Sequence, residues 1–451
     1  MRYFSLVQLL GLVVFVAYTP MLYSQSYSHW ITGDTSDFVT TDHLPGVVLA
    51  GGGGDNDNAM RWMLQRAAGG DVVVLRASGS DGYNPYFFAE LGVVVHSVET
   101  IRFDGAAAAY DPYILRRIRE AEVLFFAGGD QYVYYDYWKD TPVEAAIDDL
   151  IHTKRITVGG TSAGMAILGG AYYVPPNGSA TSDQLLANPF HPNADILGWN
   201  DFLTPPYLDN VITDTHYDQR DRNGRHLVFL ARLFTTTADR VYGIACNEYT
   251  AVVIEPDGTA RVYGAYPTYD DVAYFLQTNC QDNPMPEHIA TGQPLTWNRD
   301  ESAVIAYAVG GTPTGSVGFD LRTWSAGNGG EWQHWWAESG ELSRAVAPDG
   351  NCNAIPLSII DDSASSEPTP PARSVAAVWS LPDGAGLGYR FDNRRSGQLH
   401  IYDPSGRMMR SYTIVGAHRV PLLFGAPAGT YIWQFIDDQQ VIASGKFTYL
   451  R

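Results

Sequence analysis

From residue 46 the chain alternates short apolar runs with stretches whose apolar positions recur at helical spacing. "GVVLAGGGG" reads as a buried strand running into a glycine loop, and "NAMRWMLQRAA" as the helix after it. "DVVVLRAS" and "VVVHSVE" are two further strands, and "DPYILRRIREA" is a helix with proline near its first turn. "EVLFFAGGDQ" is a strand ending in glycines, a helical stretch continues to about residue 152, and "RITVGG" closes the series. Continuously apolar strands separated by helices predict an α/β fold with a doubly wound, mostly parallel sheet covered on both faces. Glycine loops follow three of those strands, at Gly51 to Gly54, at Gly128 and Gly129, and at Gly160. Ligands bind at the carboxyl ends of the strands in such sheets, so the three loops are expected to face one crevice.

Beyond residue 223 a helix ("GRHLVFLARLFTTT") leads to three short strands, "YGIACNE", "TAVVIEP" and "ARVYGAY". The stretch from 266 to 360 is rich in Trp and Gly, and its pattern does not fix a topology. "DDSASSEPTPPARS" (361–374) has nothing to bury and the composition of a linker. From 375 to 451 short alternating runs, with turns at Pro-Ser-Gly and Ala-Gly, predict a C-terminal β-sandwich. At the other end, "MRYFSLVQLLGLVVFVAYTPMLYSQS" carries one Arg, an apolar run from Phe4 to Tyr18, then small and polar residues. That is a secretory signal peptide over 1–25, with cleavage expected near Ser24 and Gln25. The run is short for a span of about 20 residues, so the mature protein is expected to be exported and to lack a membrane span. The expected division is a signal peptide (1–25), a core domain (40–265), an extension (266–360), a linker (361–374) and the sandwich (375–451).

Charge and cysteine content narrow the chemistry. The chain has 29 Lys and Arg against 49 Asp and Glu, a net charge of −20, which argues against a nucleic-acid partner. From Ser374 onward basic residues outnumber acidic ones, so the excess acid sits in the body, where it would favour cationic ligands or simply solvate the surface. Two readings of the three cysteines stay open: Cys280 paired with Cys352 and Cys246 alone, or all three free. No Cys/His spacing suggests a zinc site, and neither metal nor cofactor is expected.

The candidate chemistry lies in "RITVGGTSAGMAILGG", where a buried strand should become a helix. Gly160 and Gly164 flank Ser162 in the strand-to-helix elbow G-x-S-x-G, which holds a hydroxyl clear of the sheet. The plainer reading is a glycine-rich corner with a serine helix cap. A nucleophilic serine needs a base, and chain order after the elbow offers His191, His216 and His226. His191 falls in a Pro/Asn loop and His226 inside a helix. His216, in "ITDTHYDQRDRNGRHL", comes just past a strand end beside Asp214, Arg220 and Arg222, which suits a base in a cleft.

The motifs "AGGGG", "AGGDQ", "GGTSAGM", "DTHYDQRDRNGRH" and "GIACNEYTA" follow one another in the order and spacing seen in cyanophycinases and the related aspartyl dipeptidases. The chain from about 46 to 264 resembles that family of serine peptidases. The resemblance implies a sheet like that of class I glutamine amidotransferases, with Ser162 as nucleophile and His216 as base. It also implies that Gln131, Asp214 and Arg220 line the substrate site. The amidotransferases carry cysteine at the elbow, so the serine favours the peptidase branch. The oxyanion would rest on the N–H of Ala163 and on the glycine loop, at Gly52 and Gly53. The family orients its histidine with a glutamate shortly after the serine, but this chain has none between Ala163 and Asp214. Asp183 is therefore assigned as the third member, the alternative being an N-cap for the helix "QLLA". Asn247 stands where the family usually has aspartate. The closing segment, ending "GKFTYLR", resembles the sorting domain of the type nine secretion machinery of Bacteroidota, which would then be a partner.

The expected function is that of a secreted serine exopeptidase. It would hydrolyse cyanophycin, the β-aspartyl-arginine polymer, or related aspartyl peptides, through an acyl-enzyme on Ser162. Two other readings are an aspartyl dipeptidase of the same family and a catalytically inactive, surface-displayed binding protein. Whether the protein forms a homodimer is open at this level.

Overall fold

Each apolar run is too short for a stable helix, and most are rich in β-branched or aromatic residues, so they form strands packed on both faces. The computed structural model describes residues 26–237, 239–279, 284–347 and 350, and in the C-terminal part 376–380, 387–391, 397–403, 407–414, 429–437 and 440–449. The expected signal peptide, the linker at 361–374, Cys280 and Cys352 lie outside the described residues.

One sheet has a parallel centre in the order β4 (Ser97–Phe103), β3 (Asp71–Arg76), β5 (Val123–Phe126), β6 (Thr157–Thr161), β2 (Gly46–Ala50). β1 (Tyr27–Gly33) joins antiparallel outside β4. Beyond β2 come β11 (Ala251–Ile254), β12 (Thr259–Tyr263), β15 (Val317–Asp320) and β16 (Gly327–Asn328), all antiparallel. Alternate residues of β3 feed different cores. Val72 and Val74 pack with Met60 and Met63 of α1 (Asp57–Gln65), beside the single turn α2 (Tyr83–Pro85). Val73 and Leu75 pack with Ile114 and Ile118 of α3 (Pro112–Glu120), Trp138 of α4 (Gln131–Trp138) and Ile147 of α5 (Pro142–Asp149). Each fully buried side chain of this size contributes roughly 1.5–3 kcal/mol, which is why the sheet needs helices on both faces.

A second sheet runs β18 (Glu341–Val346), β17 (Gly330–Glu338), β14 (Val304–Gly310), β13 (Val272–Thr278), β10 (Tyr242–Cys246), β9 (Val211–Asp214), β7 (Ala171–Tyr173), β8 (Leu197–Trp199). α8 (Asn223–Thr237) packs Leu227, Val228 and Leu230 in one core with Ile212, Ala245, Leu276 and Trp335 of that sheet. The short helix α6 (Ala163–Ala166) packs against β5, β6 and β9, and α7 (Ser182–Ala187) packs against α8. The Trp- and Gly-rich stretch is not set apart at residue 266. Its strands β15 and β16 lengthen the first sheet, and β13, β14, β17 and β18 lengthen the second.

One strand starts later than its pattern suggests. "VVVHSVE" pairs with β3 only from Ser97, and Val94 is 85% exposed. The register is set by polar contacts that hydropathy does not register: the Ser97 hydroxyl donates to the Asp71 carboxylate, and buried Glu99 pairs with Arg117 at 2.6 Å. In the C-terminal part, β19 (Ala376–Ser380) and β20 (Leu387–Phe391) form a hairpin pair. β22 (Met408–Ile414), β21 (Gly397–Tyr402), β23 (Gly429–Asp437) and β24 (Gln440–Tyr449) form an antiparallel sheet in that order. Among the described residues no helix is long and apolar enough to cross a membrane.

Candidate active site

Ser162 is the residue on which β6 stops and α6 begins. Its backbone sits at φ 52° and ψ −114°, a conformation that costs energy for a non-glycine residue and aims the side chain off the sheet. The elbow can be this sharp because its flanking residues have no Cβ. A Cβ on Gly160 would lie 2.4 Å from the Gly164 backbone, and one on Gly164 would lie 2.0 Å from the Phe126 carbonyl oxygen. The Ser162 N–H donates to the Ala50 carbonyl at 3.0 Å, which ties the elbow to the end of β2.

β9 delivers the histidine from the second sheet. His216 adopts φ 44°, and its N–H donates to the Gly51 carbonyl at 2.8 Å. The ring is thereby brought over the serine, with Nε2 2.8 Å from Ser162 Oγ. Its other nitrogen, Nδ1, lies 2.6 Å from Oε1 of Glu248, two residues past the end of β10. With Nδ1 protonated and donating to the carboxylate, Nε2 is free to accept the serine proton. Gly52, at φ 94°, closes over this pair, and a Cβ there would come within 2.5 Å of the imidazole. The Glu248 backbone is held from below by its N–H, which donates to Gln219 Oε1 at 3.0 Å.

Asp183 is not the histidine's partner. Both ring nitrogens of His216 are taken by Ser162 and Glu248. Asp183 is exposed in the first turn of α7, whose capping box is made by Thr181 and Gln184. There a carboxylate complements the helix dipole. Glu248 becomes legible once the strand pairing is known. β9 and β10 are parallel neighbours with Ala245 opposite Asp214, so residues just past both ends must lie side by side. The acid of "GIACNEYTA" therefore falls beside the histidine of "DTHYDQ".

Asp214 is also reassigned. It is 2% exposed, and Arg225 grips it with two hydrogen bonds, Nε to Oδ2 at 2.8 Å and Nη2 to Oδ1 at 2.5 Å. Burial alone would raise its pKa, but Arg225 and then Arg222 outweigh that and hold the carboxyl below its ordinary value. A carboxylate so paired has no free face for a ligand. Its role is to fix α8 against the end of β9.

Ala163 is the first residue of α6, where backbone N–H groups lack intrahelical partners. Gly53 follows Gly52 at φ 75°. Gln131 opens α4 half-buried, its Nε2 3.4 Å from the Tyr173 carbonyl, while Asp130 caps that helix. Arg220 is exposed on the turn after His216. Of the α4 aromatics, Tyr134 and Trp138 stack in the core with centroids 4.6 Å apart, and the other rings are partly exposed. His226 is fully buried in α8, and His191 accepts from the Asn193 N–H at 3.2 Å in a local turn.

Asn247 has a physical reason to be an amide. Its Nδ2 donates to the Asp218 carboxylate at 3.0 Å and to the Asp270 carbonyl at 2.8 Å, and its Oδ1 accepts from the Asp218 N–H at 3.0 Å. Asp218 also accepts from Tyr274 at 2.7 Å and Asn223 at 2.9 Å. A carboxylate at 247 would face a second carboxylate and lose both donations.

His216 is held below its ordinary pKa. Burial is the largest cause, the Glu248 carboxylate pulls the other way, and the charges of Arg220 and Arg222 lower it again. Such an imidazole stays neutral, and able to accept a proton, into mildly acidic solution. Among the described residues, no group of three His, Cys, Asp or Glu side chains is placed to hold a metal ion. Cys246, the last residue of β10, is buried and in no disulfide, its Sγ 3.6 Å from the Leu49 carbonyl oxygen.

A serine hydroxyl, an imidazole and a carboxylate in series, beside a glycine loop at a strand end, can activate an oxygen nucleophile toward a carbonyl. In sequence the similarity is to cyanophycinases. The chain is 29% identical to that of Trichormus variabilis over 185 residues, covering 41% of this chain and 54% of the relative. It is 28% identical to that of Synechococcus elongatus over 233 residues, covering 49% and 66%. With that of Geminocystis herdmanii it shares 26% over 235 residues, covering 49% and 79%. The chain thus spans about half the length of the first of these relatives. No family profile matches it. A solved peptidase from an acI-B1 Actinobacterium aligns over 56% of this chain and 94% of its own, at 15% identity and a TM-score of 0.38. At that score the likeness carries no weight beside the sheet order itself.

Proposed function

We propose that this protein is a secreted serine peptidase of the cyanophycinase type, acting on β-aspartyl-arginine polymer or related aspartyl peptides. The observation that carries the reading is the relay from Ser162 to His216 to Glu248, at 2.8 and 2.6 Å. Ser162 Oγ attacks the scissile carbonyl as His216 Nε2 takes its proton, and Glu248 steadies the imidazolium. The developing oxyanion rests on the N–H of Ala163 and of the Gly52–Gly53 loop, donors whose individual loss costs roughly 3–4 kcal/mol of barrier in comparable sites. His216 then returns the proton to the leaving amine, and water releases the acyl group by the same route in reverse. Arg220, exposed beside the histidine, offers a planar fork to an aspartyl carboxylate, and Gln131 offers an amide.

Labelling by a serine-directed fluorophosphonate, with Ser162→Ala as control, tests the nucleophile. Turnover of β-Asp-Arg polymer against poly-Ala, poly-Glu and α-aspartyl dipeptides at matched concentration tests the substrate. Equal rates on all of them would remove the cyanophycinase reading, and preference for α-aspartyl dipeptides would favour a dipeptidase. An unlabelled wild-type serine would favour an inactive binding protein. The secretion part of the proposal rests on the N-terminal apolar run and the C-terminal segment. Mass spectrometry of free secreted protein should find cleavage before Ser374, and an intact end at Arg451 would argue against a sorting role.

A further inference from the structure

Neither end of the His216–Glu248 contact is fixed by a strand. β9 stops at Asp214 and β10 at Cys246, and the last residues paired between them are Asp214 and Ala245. His216 and Glu248 each lie two residues past those ends, on loops whose backbones have left the ladder. The glycine loop touches both, since Gly51 accepts from the His216 N–H and Gly52 from the Tyr249 N–H. Those bonds tie each loop to the first sheet. The 2.6 Å between Nδ1 and Oε1 depends also on what ties the two loops to each other.

One backbone bond, from the Tyr217 N–H to the Cys246 carbonyl at 3.3 Å, starts that connection. Three bonds that use side chains complete it. The Asp218 N–H donates to Asn247 Oδ1 at 3.0 Å, and Asn247 Nδ2 donates back to the Asp218 carboxylate at 3.0 Å. The Glu248 N–H donates to Gln219 Oε1 at 3.0 Å. Two consecutive residues just after the histidine thus clasp two consecutive residues that include the acid. Both halves are anchored from behind. Asp218 accepts from Tyr274 of β13 and Asn223 of α8, and the Asn247 N–H donates to the Val272 carbonyl at 3.0 Å. The loop also needs holding, because Tyr249 follows the acid at φ 60°, a conformation that costs energy for a non-glycine residue.

We propose that Gln219 and the Asp218–Asn247 pair are positioning residues, acting on the reaction through Glu248 by keeping its carboxylate within hydrogen-bond distance of His216 Nδ1. The consequence for rate rests on the peptidase reading; the geometry does not. Asn247 is fully buried, whereas Gln219 is exposed, so the clasp can be opened at Gln219 with little risk to the fold.

The first readout needs no turnover. In the full chain with isotope-labelled histidine, a ring N–H donating to a carboxylate gives a far-downfield proton signal, and its loss in Glu248→Gln assigns the one from His216. Gln219→Leu, similar in size but without an acceptor, should weaken that signal or move it upfield. Gln219→Glu keeps an acceptor oxygen and should retain it. The second readout is kinetic. Gln219→Leu should lower kcat about three- to tenfold with KM little changed, and Asn247→Ala should lower it further. Added to Glu248→Gln, Gln219→Leu should cost nothing more, because the group it positions is already disabled. A residue that only stabilised the fold would cost the same in both backgrounds. If Asn247→Ala loses the fold, Gln219 still decides. A downfield signal unmoved by Gln219→Leu, no such signal in the wild type, or an additive loss in the double variant would overturn the clasp. A wild-type serine that fluorophosphonate fails to label, beside a downfield signal that Gln219→Leu does move, would remove the peptidase reading and leave the clasp standing.

Discussion

The two walls of the crevice are built by different means. On the serine side, β2, β5 and β6 bring backbone against backbone, and position is set by the absence of side chains: Gly160 and Gly164 at the elbow, Gly52 over the histidine. On the histidine side, β9 and β10 end in charged and amide groups, and position is set by a hydrogen-bonded network. Asp214 is clamped by Arg225, and Asp218 gathers Asn247, Asn223 and Tyr274. Steric placement writes itself into a short contiguous motif, because the glycines must be near the serine in sequence. Network placement is spread over residues 214–274 and depends on which strands are neighbours.

The largest effect should come from breaking the acid of the network. Glu248→Gln keeps the shape but loses the charge that selects the tautomer and steadies the imidazolium, so kcat should fall about ten-thousandfold with little change in KM. Asp183→Asn, on an exposed helix turn, should leave turnover near normal. A severe loss in Asp183→Asn with an active Glu248→Gln would reverse the assignment.

That contrast also marks how far the sequence could be read. The parallel sheet, the crevice at its strand ends, the elbow at Ser162 and the candidate at His216 were all visible because each leaves a local pattern: a buried run, a glycine pair, an acid–histidine pair past a strand. Glu248 left no such pattern of its own. Finding it required knowing that β10 lies parallel beside β9, a fact about pairing that periodicity does not encode. Asp214, which the family resemblance put at the substrate site, is shown by the position of Arg225 on the following helix to be a buried structural ion. The strands beyond residue 270 were unreadable because they add to existing sheets and so need no self-sufficient core.

The clamp on Asp214 predicts a loss of stability, where a substrate-binding acid would predict a loss of affinity. Asp214→Asn leaves Arg225 buried without its counter-charge, and should cost about 3–5 kcal/mol in denaturant unfolding. The sign of its pH dependence follows from the depressed pKa of this carboxyl in the folded protein. Its contribution is complete above the unfolded value of about 4 and drains away as the pH falls through the lower, folded value. An Asp214→Asn chain of normal stability but poor substrate affinity would return the residue to the substrate site.

The steric wall can be broken with a single methyl. Gly52→Ala adds a Cβ within 2.5 Å of the imidazole at a backbone φ of 94° that alanine resists. The ring must move by a large part of an ångström, and displacement on that scale costs about a hundredfold in kcat. The measurement is single-turnover acylation beside a melting curve, which separates displacement of the ring from loss of the fold at this buried position. Normal acylation would mean that the glycine loop does not confine His216.

The smallest effect separates charge from contact at Arg220. Its guanidinium lowers the His216 pKa from a distance, after burial and together with Arg222, while Glu248 opposes them. The neutral imidazole is the reactive form, so reactivity should rise with pH through a midpoint below the ordinary histidine value of about 6.5. Arg220→Gln removes one of the lowering charges, and the midpoint should move upward, toward the ordinary value. Reading this in substrate turnover would mix the shift with any lost contact to a carboxylate. The rate of fluorophosphonate labelling across pH avoids that, because the small uncharged probe reports the ionisation of the serine–histidine pair without needing the substrate's carboxylate. High salt should shift the wild-type midpoint the same way, since Arg220 is exposed and its field is screened. A midpoint unmoved by the substitution would mean that burial and Glu248 alone set the histidine, leaving Arg220 with substrate contact as its sole role.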